Sequence, residues 1–160
     1  MTPDTLREQA LVLWEQGVQR QKAEDVDAAE ALYRQSLALH PTAEAHTFLG
    51  WVYSRRGDVE RAIDECKRAI DVDPELGNPY NDIGAYLIEQ NELDDAIVWL
   101  ERAKQATRYD ARHFPHVNLA RIYARRGFVV RALGELMQAR EFAPDNLPIG
   151  TMIAELRQLN

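Results

Sequence analysis

The sequence predicts an all-α chain, an array of helical hairpins without strands, and three observations carry that prediction. Apolar residues recur at i, i+3, i+4 and i+7, the spacing of amphipathic helices. One block of sequence returns at intervals of 33, 34 and 36 residues, measured between Gly17, Gly50, Gly84 and Ala120. Within each block, Gly, Asn and Pro recur at fixed places, where helices have to stop and restart.

The first element runs from Asp4 to about Ala23 and reads as one long helix that starts the stack. The degenerate first block continues through Ala29, Tyr33, Ser36 and Pro41. The second opens on Ala43-Glu44-Ala45-His46-Thr47-Phe48-Leu49-Gly50-Trp51-Val52-Tyr53 and continues through Gly57-Asp58, Ala62, Cys66, Ala69 and Pro74. The third opens on Gly77-Asn78-Pro79-Tyr80-Asn81-Asp82-Ile83-Gly84 and continues through Asn91-Glu92, Ala96, Leu100, Ala103 and Arg108. The fourth opens on His113-Phe114-Pro115-His116-Val117-Asn118-Leu119-Ala120 and continues through Gly127-Phe128, Ala132, Leu136, Ala139 and Pro144.

Gly57, Asn91 and Gly127 tolerate the left-handed backbone of a helix end. Asp58 and Glu92 suit the following N-terminus, where the helix dipole favours negative charge. Pro41, Pro74 and Pro144 mark the exits of second helices, while Pro79, Pro115 and Pro148 suit first-turn positions. The last block carries two extra residues, expected between Ala106 and His116. The tail, with Ile149, Ile153, Leu156 and Leu159 on one face, reads as a capping helix. The expected boundaries are hairpins at about 4–42, 43–76, 77–110 and 111–146, then a cap at about 147–160, nine helices in one domain.

This period and pattern resemble the tetratricopeptide repeat over roughly residues 10–146. The resemblance implies a right-handed α-solenoid whose first helices line a concave groove for partner peptides. Small residues at Gly50, Gly84, Ala120, Ala62, Ala96 and Ala132 would then let paired helices approach closely. The departures are Gln16 and Arg20 in the first block, Arg108 in place of the third terminal Pro, and the insertion before the fourth.

Composition narrows the function classes. The net charge is −7, divided as −10 over residues 1–106 and +3 over 107–160. Such an acidic surface disfavours nucleic acid. No apolar run is long enough to cross a membrane, and from the first residues no secretory signal is expected. The single cysteine, Cys66, excludes an internal disulfide and fits a cytoplasmic location. A homo-oligomer is left open.

No phosphate loop, Gly-x-Ser-x-Gly or His-Glu-x-x-His sequence occurs, so no enzyme activity and no cofactor are expected. Cys66 falls in an apolar slot shared with Tyr33, Leu100 and Leu136. Asp110, His113 and His116 read as helix-start and surface residues rather than metal ligands. Asp64-Glu65 and Asp94-Asp95 read as solvated helix surface, because adjacent helical residues do not face one another.

By the resemblance, the groove side of the first helices carries Trp14, Glu15, Val18 and Lys22, followed by Thr47, Phe48, Trp51 and Arg55. Asn78, Asn81, Asp82, Ala85 and Glu89 follow on the third hairpin. The fourth contributes Phe114, Val117, Asn118, Arg121 and Arg125. The candidate peptide-binding set is Phe48, Trp51, Arg55, Asn78, Asn81, Asp82, Asn118, Arg121 and Arg125. Aromatic anchors bury a peptide's side chains, and amides bond its main chain. A segment with an acidic end and a neutral or basic centre is expected to fit.

Lys67 and Lys104 lie on second helices, and Asp82 and Glu89 repel an acidic tail, so the family's C-terminal-carboxylate clamp is not expected. The function expected is a non-enzymatic scaffold or adaptor that binds a protein or peptide partner. The alternative is a cytosolic chaperone of a secreted protein, of the type-III-secretion kind.

Overall fold

The computed structural model describes residues 1–160. Nine helices follow one another: α1 (Pro3–Lys22), α2 (Val26–Leu39), α3 (Ala43–Arg55), α4 (Val59–Val72), α5 (Asn78–Glu89), α6 (Leu93–Gln105), α7 (His113–Arg125), α8 (Val129–Phe142) and α9 (Leu147–Gln158). The fold is all-α. Successive helices pack as hairpins, α1 with α2 through α7 with α8, and α9 lies on α8. Helices α1, α3, α5 and α7 also touch in succession. These four therefore form one continuous inner face.

Local chemistry explains the helix boundaries. The side chains of Thr2, Asp25, Thr42, Asp58 and Asn146 each accept a hydrogen bond from the backbone N–H three residues on, satisfying one of the unpaired amides of a helix start. Inside each hairpin the chain turns through a left-handed residue: Gly57 at φ 81°, Asn91 at 61° and Gly127 at 78°. The first hairpin uses Glu24, at φ 60°, a position its sequence does not announce.

The core repeats with the sequence. Tyr33, Cys66, Leu100 and Leu136 are fully buried, as are Ala29, Ala62, Ala96 and Ala132. The slot residues set how small their opposite numbers must be. A Cβ on Gly17 would lie 2.4 Å from the Tyr33 ring, and one on Gly84 would lie 2.6 Å from Leu100. Burial pushes the Cys66 thiol well above its ordinary range, which leaves it a neutral apolar filler.

Two readings of polar residues as surface are corrected. Glu65 and His116 are buried, at 5% and 6% exposed. Each joins a bond between the two helices of its own hairpin. His46 Nδ1 lies 2.7 Å from Glu65 Oε2, and His116 Nδ1 lies 2.6 Å from Glu135 Oε2. The two pairs occupy equivalent repeat positions. In the hairpin between them the same positions hold Tyr80 and Trp99, whose rings lie 6.1 Å apart.

Arg68 adds a bond to Glu65 at 2.7 Å, and Lys104, from the preceding hairpin, reaches Glu135 at 3.0 Å. Burial raises the Glu135 carboxyl, but the hydrogen bonds from His116 and Lys104 outweigh it and hold the group below the usual carboxylate range. A third correction concerns the cap. Ile149 and Ile153 are buried, but Leu159 is 74% exposed, beyond the end of α9.

The joint between α6 and α7 spans residues 106–112, longer than the others, and it is where the two extra residues lie. It runs beside the joint between α4 and α5. The Arg108 N–H donates to Glu75 O at 2.9 Å, and the Gly77 N–H donates to Arg108 O at 3.1 Å. The Arg108 guanidinium bonds Asp73 at 2.6 Å and Glu44 at 2.8 Å. Proline at this position would remove the donated N–H, which accounts for its absence from the third block. Pro115 is the third residue of α7, within its first turn.

Candidate functional site

The inner face of α3, α5 and α7 encloses a cavity of about 400 Å3, lined by Gln21, Thr47, Phe48, Trp51, Asn78, Asn81, Asp82, Tyr109 and Phe114. Phe48, Trp51, Asn78, Asn81 and Asp82 were expected on this face and converge here. They come together because residues one helical turn apart share a face and because α3 and α5 touch.

Phe48 is fixed from behind. The Trp14 ring meets it edge-on at 5.4 Å and the Tyr33 ring at 5.8 Å. The Tyr33 hydroxyl donates to Gln21 Oε1 at 2.7 Å, which holds Gln21 at the rim. The indole N–H of Trp14 is buried without a partner, the one unpaid polar group of this aromatic cluster.

Asn118 and Arg121 join the site through bonds to other residues and do not line the cavity. Asn118 Nδ2 donates to Asn81 Oδ1 at 3.0 Å between two buried side chains, and Arg121 approaches Asn118 Oδ1 at 3.4 Å. Arg55 is exposed, its guanidinium 5.9 Å from the Trp51 ring centre. Arg125 is exposed in the last turn of α7, outside the cavity lining.

Gln21 and Tyr109 complete the lining but lay outside the expected inner set. Tyr109 belongs to the expanded joint and has no counterpart in the repeat; the insertion itself was its only signal. Its ring rests on Gly77, where a Cβ would fall 2.2 Å from it.

Asp82 is the electrostatic feature of the cavity. It retains some surface, yet protein packs so densely around it that desolvation raises its carboxyl to about 7, with the Asn81 side chain a smaller opposing influence. No lysine, arginine or histidine lines the cavity. Burial also pushes up the neighbouring phenols Tyr86 and Tyr109, and the Asp82 charge pushes them further.

A larger and more open depression of about 720 Å3 lies between α6 and the α4–α5 joint, lined in part by Pro74, Tyr80, Val98 and Arg102. The groove cavity is smaller but more enclosed, and it gathers polar groups around aromatic walls, the composition of a recognition site. The histidines of the last block are drawn to separate partners: the His113 ring lies tilted against Phe114, 4.2 Å between centres, and His116 bonds Glu135.

The tetratricopeptide repeat family model matches residues 7–76. The type IV pilus assembly protein PilF of Pseudomonas aeruginosa is 26% identical over 124 residues, covering 77% of this chain and 46% of that protein. The chain thus spans less than half the length of this curated relative.

A solved structure of Pseudomonas aeruginosa PilF superposes with a TM-score of 0.85 at 21% identity, covering 96% of this chain and 68% of the other. PilW, described as a widely conserved type IV pilus biogenesis factor, gives 0.81 at 16% identity, covering 94% and 69%. YrrB, described as a tetratricopeptide protein with an unusual peptide-binding site, gives 0.66 at 17%, covering 89% and 73%. The tetratricopeptide match covers the first two hairpins, and along nearly all its length the chain has the helical-solenoid fold of these tetratricopeptide proteins.

Proposed function

We propose that this protein is a non-enzymatic interaction module that holds a peptide segment of a partner in its concave groove. The observation that carries the proposal is the cavity in which Phe48, Trp51, Tyr109 and Phe114 surround Asn78, Asn81 and Asp82. Aromatic walls bury side chains at low conformational cost, and amides pair with an extended main chain. The fold class supports the reading, since tetratricopeptide proteins are generally interaction modules rather than catalysts. A cytoplasmic location, suggested by the lone cysteine, belongs to the same proposal and is read by cell fractionation.

The test is selection of binders from a random peptide display library, followed by titration against the parent protein and Trp51→Ala. Loss of the Trp51 ring is expected to cost about 2 kcal/mol or more. Arg121→Ala is expected to weaken binding mainly at low salt, as for an exposed charge. Selected peptides that bind both variants like the parent would move the site elsewhere, to the basic C-terminal helices around Arg131, Arg140 and Arg157.

The likeness to PilF and PilW favours a second, narrower reading, an assembly factor whose partner is a pilus component. Co-purification of such a component, lost in Trp51→Ala, would support it. The secretion-chaperone alternative instead predicts that co-expression keeps an otherwise insoluble secreted substrate in solution.

A further inference from the structure

Asp82 is the one carboxyl side chain among four aromatic rings, and the other non-aromatic polar groups of the cavity are Thr47 and three amides: Gln21, Asn78 and Asn81. A carboxylate held in packed protein without a counter-charge works against stability unless something else compensates it. Charged groups reach the margins of the site, but none neutralises it. Arg55 lies over Trp51, and Arg121 is turned toward the Asn118 amide. The groups that share the Asp82 field, Cys66 on α4, Tyr86 on α5 and Tyr109 in the α6–α7 joint, add no positive charge.

The missing partner is therefore a cation. The aromatic faces define which cation fits best. Rings attract a positive charge placed over them. A guanidinium is planar, weakly hydrated and rich in donors, so it can stack on a ring while donating to a carboxylate and to amide oxygens together. Gln21, Asn78 and Asn81 supply such oxygens in the same cavity as Asp82, although Gln21 Oε1 already accepts one bond from Tyr33 and Asn81 Oδ1 one from Asn118.

We propose that this cavity is a specificity pocket for an arginine side chain of the bound peptide, with Asp82 as its counter-ion and Phe48, Trp51, Tyr109 and Phe114 as its walls. The proposal rests on the groove reading above and deepens it by naming the side chain the groove selects. Binding would bring the counter-charge that the free protein lacks.

The experiment uses the full chain and three small probes, N-acetyl-arginine amide, N-acetyl-norleucine amide and N-acetyl-glutamate amide. The readout is the indole N–H resonance of Trp51, assigned by its disappearance in Trp51→Ala. The arginine probe is expected to shift this resonance saturably, and the other two are not. Asp82→Asn is expected to weaken the arginine probe about tenfold, the scale of a hydrogen bond to a charged group, while melting no lower than the parent. That melting result excludes damage to the fold.

Equal binding of the norleucine probe, no saturable shift with the arginine probe, or unchanged arginine binding by Asp82→Asn would each overturn the proposal. If display-selected peptides still depended on Trp51 in any of those cases, the groove reading would stand and only the arginine pocket would fall. Peptides indifferent to Trp51 would remove the groove reading itself.

Discussion

Replacing Asp82 by Asn is expected to stabilise the protein, by an amount that depends on pH. The carboxyl stands at about 7 in the folded chain against an ordinary 3.8. At about 1.4 kcal/mol per pH unit, full ionisation in the fold costs up to about 4 kcal/mol. The side of Asp82 that faces the open cavity keeps water, so about half of that ceiling, ~2 kcal/mol, is expected to appear.

A raised carboxyl means that the folded chain binds more protons than the unfolded one between these two values. Stability therefore falls as pH rises from about 4 to about 7. Asn removes this loss while keeping the shape. The groups coupled to Asp82, namely Cys66, Tyr86 and Tyr109, are all pushed upward and stay neutral across the window. Carboxylates held low elsewhere, such as Glu135, titrate alike in both proteins and cancel in the difference.

Thermal melts followed by helical circular dichroism at pH 4, 6 and 8 should show the variant level with the parent at pH 4. At pH 8 it should lie roughly 4–8 °C above, at about 2–4 °C per kcal/mol for a chain of this size. A constant offset across pH, or a variant less stable at pH 8, would refute the reasoning.

Gly77→Ala places a methyl inside the Tyr109 ring and should cost about 1–3 kcal/mol by overpacking. The double variant with Tyr109→Ala should lose less than the sum of the two single changes, measured by urea unfolding. Arg108→Pro deletes the N–H donated to Glu75 as well as the bonds to Asp73 and Glu44, and should cost about 2 kcal/mol or more. Arg108→Ala keeps the N–H and should cost under about 1 kcal/mol, because the ion pairs are exposed; equal losses would show that the main-chain bridge contributes nothing. Glu135→Ala strips His116 and Lys104 of their shared acceptor and should cost about 2 kcal/mol at pH 7 in denaturant unfolding. Because the Glu135 carboxyl is held low, its contribution is present above the ordinary carboxylate range and is lost as pH falls through its depressed value, so parent and variant should converge in acid.

The helices, the cap at Asp58, the left-handed turns at Gly57, Asn91 and Gly127, and the slot holding Tyr33, Cys66, Leu100 and Leu136 were legible in the sequence. Each is a property of residues close in the chain, or of a register that repeats, and helical periodicity puts such residues on predictable faces. The clustering of Phe48, Trp51, Asn78, Asn81 and Asp82 follows from the same register.

What the tertiary structure decided depends on contacts that no period carries. Glu65 and His116 look like surface residues until each hairpin closes and sets His46 on the one and Glu135 on the other from the facing helix. Glu24 turns left-handed because the first hairpin must close as the others do, although its sequence lacks the small residue. Arg108 stands where proline is expected because its N–H is needed by the neighbouring joint. Tyr109 reaches the groove from an insertion outside the repeat. The state of Asp82 depends on packing from several hairpins at once, since desolvation is a sum over everything near a charge and cannot be read from the residues beside it in the chain.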